Sequence, residues 1–153
     1  MTIVNTFFIA IMVLVASVAS ASTFAEGYSH STPGVSGYDP VAYFTDGKPV
    51  RGSGFHVTVF DEVTYAFANA EHRKMFEANP QKYLPAYGGY CAYGLGVGKK
   101  FVADPEVWKI VEGKLYLNLD KGIQKKWEND IPGYIKKGDA NWVTMKDKKP
   151  SDL

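Results

Sequence analysis

The sequence predicts a small α+β domain, and three features lead to that class. Residues 55–67 and 107–119 each read as two short strands around a tight turn. Residues 70–78 and 121–137 place apolar side chains at helical spacing. The chain has 153 residues, of which 46% are hydrophobic and 22% charged, which suits one globular domain rather than two. β-Hairpins packed with a central helix and a C-terminal helical segment satisfy all three.

The N-terminus comes first. No charged side chain occurs from Met1 to Ala25, and Phe7–Val15 is an unbroken apolar run of nine followed by small residues. That order predicts a signal peptide over residues 1–25, cut after Ala21 or Ala25, and a periplasmic or secreted protein. The apolar run is far short of the roughly 20 residues a membrane span needs, so no stable span is expected after cleavage. Residues 26–36 read as a linker, 37–145 as the domain and 146–153 as a polar tail.

Within the domain, Val41–Phe44 is a short apolar run before the Asp46-Gly47 turn signal. Phe55–Phe60 alternates, and with Tyr65–Phe67 it makes the first hairpin around Asp61-Glu62. Asn69 is placed to cap a helix over Ala70–Ala78, which Asn79-Pro80 stops. His72, Met75 and Phe76 then share one helix face. Pro80–Tyr83 reads as one more helical turn, and the glycines from Gly94 to Gly98 as a loop. The second hairpin follows. From Lys121, Ile123, Trp127 and Ile131 recur at helical spacing until Pro132 predicts a kink or a division into two helices. Ala140–Met145 reads as a last short element, and no internal repeat stands out.

Composition excludes several functions. A net charge of +1 argues against nucleic acid as a partner. One cysteine excludes an internal disulfide and any four-cysteine zinc site. H-E-x-x-H, C-x-x-C and G-x-S-x-G are all missing, and Gly94-x-Gly96-x-Gly98 lacks the spacing of a phosphate loop. The acids Asp61, Glu62, Asp104 and Glu106 fall at turns, where carboxylates are solvated. No catalytic set emerges.

Two groups of side chains remain. Cys91, His72, Met75 and His56 are thiol, imidazole and thioether donors, a combination that suits copper(I) ahead of zinc. Tyr38, Tyr43, Tyr87, Tyr90 and Tyr93 are the candidates for an aromatic pocket or partner surface.

Several segments together resemble the YHS domain family. They are Gly37-Tyr-Asp-Pro-Val-Ala-Tyr-Phe44, Tyr65-x-Phe67, Phe76-x-x-Asn79-Pro80-x-x-Tyr83 and Tyr87-Gly-Gly-Tyr-Cys-Ala92. Asp104-Pro105-x-x-Trp108 and Gly113-Lys-Leu-Tyr-Leu-Asn118 resemble its exported, stand-alone bacterial branch, and the likeness covers residues 37–143. The resemblance implies kinship with small metal-binding modules of copper-transporting ATPases. The three cysteine positions of those modules fall here on Ala42, Ala68 and His72. The branch includes selenoproteins, which points to redox or soft-metal chemistry at the position matched to Cys91.

Three readings follow. The first is a metal-binding protein, for copper, in which Cys91 and His72 are ligands with Met75 or His56 as a third. It would buffer the metal or pass it to a transport partner. The second is a binding module without chemistry, in which the tyrosines line a pocket and Cys91 is structural. The third is a thiol-dependent redox protein that cycles Cys91 through sulfenic acid.

Overall fold

A computed structural model describes residues 34–153. The expected signal peptide and most of the expected linker lie outside the described residues. The α+β class is as the sequence predicts, with four strands among the described residues in two separate antiparallel hairpins. Among the described residues no helix is long and apolar enough to cross a membrane.

The two hairpins are built alike. β1 (Ser53–Phe60) pairs with β2 (Val63–Phe67), and β3 (Asp104–Val111) pairs with β4 (Lys114–Asn118). Each joins a strand of eight residues to one of five through a two-residue turn. Both residues of each turn, Asp61-Glu62 and Glu112-Gly113, have positive φ. This is the turn that matches the twist of the flanking strands. The register also breaks at matching places, between Ser53 and Val57 and between Asp104 and Trp108.

That likeness extends well beyond the hairpins. Asn69 caps α2 (Ala70–Ala78) through the His72 amide, and Asp120 caps α5 (Lys121–Glu128) through the Ile123 amide. Glu77 on α2 bonds back to Thr58, and Glu128 on α5 bonds to Lys109 at 2.7 Å. Tyr65 lies on the fully buried Phe76 at 5.0 Å and 36°, as Tyr116 lies on the fully buried Trp127 at 5.5 Å and 37°. Each of these second residues stands 51 positions after its counterpart.

Upstream of each hairpin the chain repeats a left-handed turn, a tyrosine and a short helix. The first turn is Gly34–Gly37, followed by Tyr38 and α1 (Ala42–Thr45). The second is Ala86–Gly89, followed by Tyr90 and α4 (Ala92–Gly96). Isolated bridges Tyr38–Arg51 and Tyr90–Val102 close both loops. The domain is therefore a structural repeat of two units of about 50 residues, where the sequence shows none on inspection.

The units stack through their hairpins. β2 turns Tyr65 and Phe67 toward Phe76 and Tyr83, forming the first core with Val41 and Tyr43. Leu115 and Leu117 of the second hairpin close that core from the far side, with Trp108 and Ile110 packed against it. The opposite face of the same hairpin turns Tyr116 into a second core with Trp127, Ala92 and Leu95. After the first unit, α3 (Pro80–Tyr83) is a single turn. After the second, α6 (Ile131–Met145) runs for 15 residues and covers α4.

Residues 121–137 divide into α5 and α6, one of the two outcomes expected at Pro132, because Asp130 caps a new helix at Gly133, with Pro132 in its first turn. Other details differ from expectation. Ala140–Met145 is the end of α6 rather than a separate element. The Val41–Phe44 run leads into helix α1, and the glycine loop is helical over Ala92–Gly96. In both, a side chain just before the helix, Asp39 or Cys91, accepts an amide of its first turn. The tail is also docked: the buried Lys100 ammonium donates to the carbonyls of Lys146 and Lys148 at 2.8 and 2.7 Å. A cation at a helix C-terminus answers its unpaired carbonyls.

Candidate functional site

Cys91 has no exposed surface. Its Sγ accepts the amides of Gly94 at 3.4 Å and Leu119 at 3.3 Å, which ties the start of α4 to the residue after β4. The S–H points to the Oδ1 of buried Asn118 at 3.7 Å, which also accepts the Tyr93 amide. Burial pushes the thiol above its ordinary pKa, and the amides of Gly94, Leu119 and Tyr93 offset this only in part. A reactive cysteine needs the reverse, a lowered pKa and an open approach.

Asp39 does the same work in the first unit. Its Oδ1 accepts the amides of Val41 and Ala42, and its Oδ2 accepts the amide of Ala68. Ala68 follows β2 as Leu119 follows β4, and Ala42 opens α1 as Gly94 lies in the first turn of α4. Fully buried Asp39 also takes the Nδ1 of His72 at 2.6 Å. The other ring nitrogen of His72 faces Thr45 Oγ1 at 3.3 Å and Asp46 at 3.7 Å. In the second unit the place of His72 is held by Ile123, which packs on the first core.

The four expected metal ligands do not form one donor set. His72 is enclosed by Asp39, Thr45 and Asp46, whereas Cys91 is enclosed by Asn118 and backbone amides. Met75 packs against the first core, and His56 stands on β1. Among the described residues no three His, Cys, Asp or Glu side chains are grouped to hold a metal ion. These residues do not fit the copper site the resemblance implies.

Nor do the five tyrosines share a pocket. Tyr38 donates to Glu106 at 2.8 Å and lies under the Arg51 guanidinium. Tyr43 is buried against Trp108 and donates to the Pro105 carbonyl at 2.8 Å. Tyr87 is buried and donates to Asp139 at 2.9 Å, and Tyr93 stacks near Tyr134. Tyr90 sits at the rim of a cleft, with the Lys100 ammonium 5.0 Å from its ring.

That cleft lies between the two left-handed turns. It encloses about 270 Å³ and is lined by Gly34, Val35 and Ser36 on one side and Gly88, Gly89 and Tyr90 on the other, with Leu117 and Ala103 among its remaining walls. Among the described residues, none of those lining it is charged. Val35, Ser36 and Gly37 have φ of 55, 52 and 79°, and Tyr87, Gly88 and Gly89 have 56, 61 and 86°. A β-branched residue such as Val35 is rarely found there, and each such residue costs about 1–3 kcal/mol. The Tyr87 phenol, bonded to Asp139 and held neutral by burial, pins the second turn to α6. A larger hollow of about 450 Å³ beside Pro132 carries charged walls and touches neither turn, and one of about 320 Å³ reaches Val35 and Tyr87 of the same turns with Asp61 and Lys114 in its walls.

The sequence pattern singles out neither Asp39, inside its Asp-Pro step, nor the glycine-rich turns as cleft walls. The available signal was the shared Gly-Tyr step before Asp39 and before Cys91. Comparison of the chain with family models, curated proteins and solved structures finds no match.

Proposed function

We propose that this chain is an exported YHS-type module that works by binding a small neutral ligand, with Cys91 as a structural thiol. One observation carries the reading: Cys91 takes the place of Asp39 in the other unit and receives the corresponding amides. A position that is a cap in one unit and a cap in the other has its role in the fold. The ligand place is the uncharged cleft between the turns, where backbone groups and apolar walls favour a compact, uncharged molecule. Strain held in place by the surrounding packing is a recurring property of ligand clamps. Export rests on the apolar run Phe7–Val15 and the small residues after it.

The deciding experiment has two arms. Copper(I) is titrated into the reduced protein against a chromophoric competitor, alongside Cys91→Ser, and no one-to-one site dependent on Cys91 is expected. Tight binding lost in the variant would return the protein to the metal reading. In the second arm, neutral fragments are screened by ligand-observed NMR against wild type and Val102→Trp, which crowds the exposed rim of the cleft. Hits that survive the substitution place the ligand elsewhere.

A further inference from the structure

Tyr65 and Tyr116 are corresponding residues of the two units, 51 positions apart. They are only 7 and 6% exposed, yet neither hydroxyl has a hydrogen-bond partner among the described residues. Tyr38, Tyr43 and Tyr87, buried to a similar degree, all donate to an acceptor. A polar group so deeply set takes its missing partner from water or from a ligand.

Both tyrosines line hollows. Tyr65 lines the one of about 320 Å³, and Tyr116 lines one of about 200 Å³. The two share Tyr87, Lys114 and Trp142 as walls, so they form one trough from the turn of the first hairpin to α6. The smaller hollow is walled by residues 86–142 alone and does not include Gly34, where the described chain begins.

Polar groups of both signs ring the trough. β4 turns Leu115 and Leu117 into the first core, which sets Lys114 and Tyr116 together on its opposite face. Asp61 stands in the wall of the larger hollow and Asp139 in that of the smaller. Asp61, Lys114 and Asp139 form no ion pair with any described residue. Asp139 accepts the Tyr87 phenol on Oδ1 alone.

We infer that this trough is a second binding site, for a neutral carbohydrate of one or two rings. The polar set decides the class. A sugar hydroxyl both donates and accepts, so a single ring answers carboxylates, an ammonium and two phenols together. An anion would face Asp61 and Asp139, and a cation would face Lys114. A zwitterion would leave both phenols and one carboxylate unanswered. Half-buried Trp142, its ring 6.0 Å from that of Tyr87, supplies the apolar surface on which the C–H face of a sugar packs. Val35 and Gly88 wall both this trough and the uncharged cleft, and the inference does not depend on what the cleft binds.

Saturation-transfer NMR on the reduced full chain tests this, with glucose, galactose, N-acetylglucosamine and cellobiose as probes and L-phenylalanine as the zwitterionic control. Transfer to at least one sugar, and none to phenylalanine, is expected. Tyr116→Phe removes one unpartnered hydroxyl, so circular dichroism should be unchanged while sugar affinity falls about tenfold. Lys114→Gln, at an exposed position, should weaken it similarly and gives the same readout should the first variant unfold. Val102→Trp, which crowds the cleft, should leave sugar binding intact, so failure of the cleft and failure of the trough are separate results. The inference is overturned if no sugar binds at millimolar concentration or if phenylalanine binds in its place. Affinity that survives both Tyr116→Phe and Lys114→Gln overturns it too, as does sugar binding abolished by Val102→Trp.

Discussion

Asp39 and Cys91 hold corresponding places in two repeated units and close corresponding loops. Asp39 accepts the Ala42 and Ala68 amides at 3.3 and 2.8 Å, and Cys91 accepts those of Gly94 and Leu119 at 3.4 and 3.3 Å. A carboxylate and a thiol share little chemistry beyond accepting hydrogen bonds. Their shared position therefore isolates that property as the one the fold requires.

The cap predicts an order of stabilities at Cys91. Serine keeps an acceptor at the site and is expected to cost about 1 kcal/mol, whereas alanine leaves the buried Gly94 amide and the part-buried Leu119 amide without their acceptor and costs about 2–3 kcal/mol. Urea denaturation of the two variants measures this. Equal losses would show that the sulfur acts by filling space and not by accepting the amides.

The Asp39–His72 pair predicts a coupled loss. His72→Ile installs the residue found at the matching place in the second unit, but it leaves Asp39 as a buried carboxylate without its imidazole. Removing one partner of a buried pair costs about 3–5 kcal/mol. Adding Asp39→Asn to that variant removes the stranded charge and is expected to recover at least about 1 kcal/mol. A double-mutant cycle by urea denaturation checks the sign, and simple additivity would mean the two side chains act independently.

The buried thiol predicts an alkaline slope. Its pKa in the folded chain lies above its ordinary value of 9.0, so folding favours the protonated form. As pH rises past about 9.0 the unfolded chain loses this proton while the folded chain keeps it. Stability is then fully present below that pH and falls above it. Buried tyrosines contribute in the same direction only beyond their ordinary 10.0, and Lys100, lowered from 10.5, contributes oppositely. Subtracting the profile of Cys91→Ser from that of wild type cancels both. A difference that stays flat from pH 7 to 10 would contradict a raised thiol pKa.

Much of this architecture was legible wherever the signals were local. Asn69 before Ala70 and Pro80 after Asn79 bound α2 correctly, because a cap and a breaker act within a few residues. The hairpins read well for the same reason. Helix α4 did not, because Ala-Tyr-Gly-Leu-Gly has poor helical propensity and is held by Cys91 at one end and by α6 along its side. The repeat was hidden because its units keep roles rather than identities: Asn69 matches Asp120, Phe76 matches Trp127, and Asp39 matches Cys91. The cleft is less legible still, since two turns far apart in the chain build it.

Tyr87 and Gly138 predict a steric limit. A Cβ added at Gly138 would lie 2.7 Å from the Tyr87 hydroxyl, on a helix that cannot easily retreat. Gly138→Ala is expected to cost about 1–3 kcal/mol as an overpacked site. Tyr87→Phe in the same chain removes the nearest clashing atom, so the double variant should lose less than the two single losses combined. Thermal denaturation of the set measures this, and full additivity would place the strain elsewhere.

Lys100 predicts a local effect at the tail. Its ammonium is buried over the rings of Tyr90 and Trp142 and donates to two carbonyls at the end of α6. Methionine keeps the apolar stem in place and removes both charged hydrogen bonds, each worth about 1.5–3 kcal/mol against an unpaired carbonyl. The carbonyls of Lys146 and Lys148 can turn to water once the tail lifts, which limits the global loss to about 2 kcal/mol. Hydrogen exchange should therefore speed up sharply across residues 146–153 in Lys100→Met while the amides of α2 change little. Uniform acceleration across both segments would show that Lys100 supports the whole second core rather than the docking of the tail.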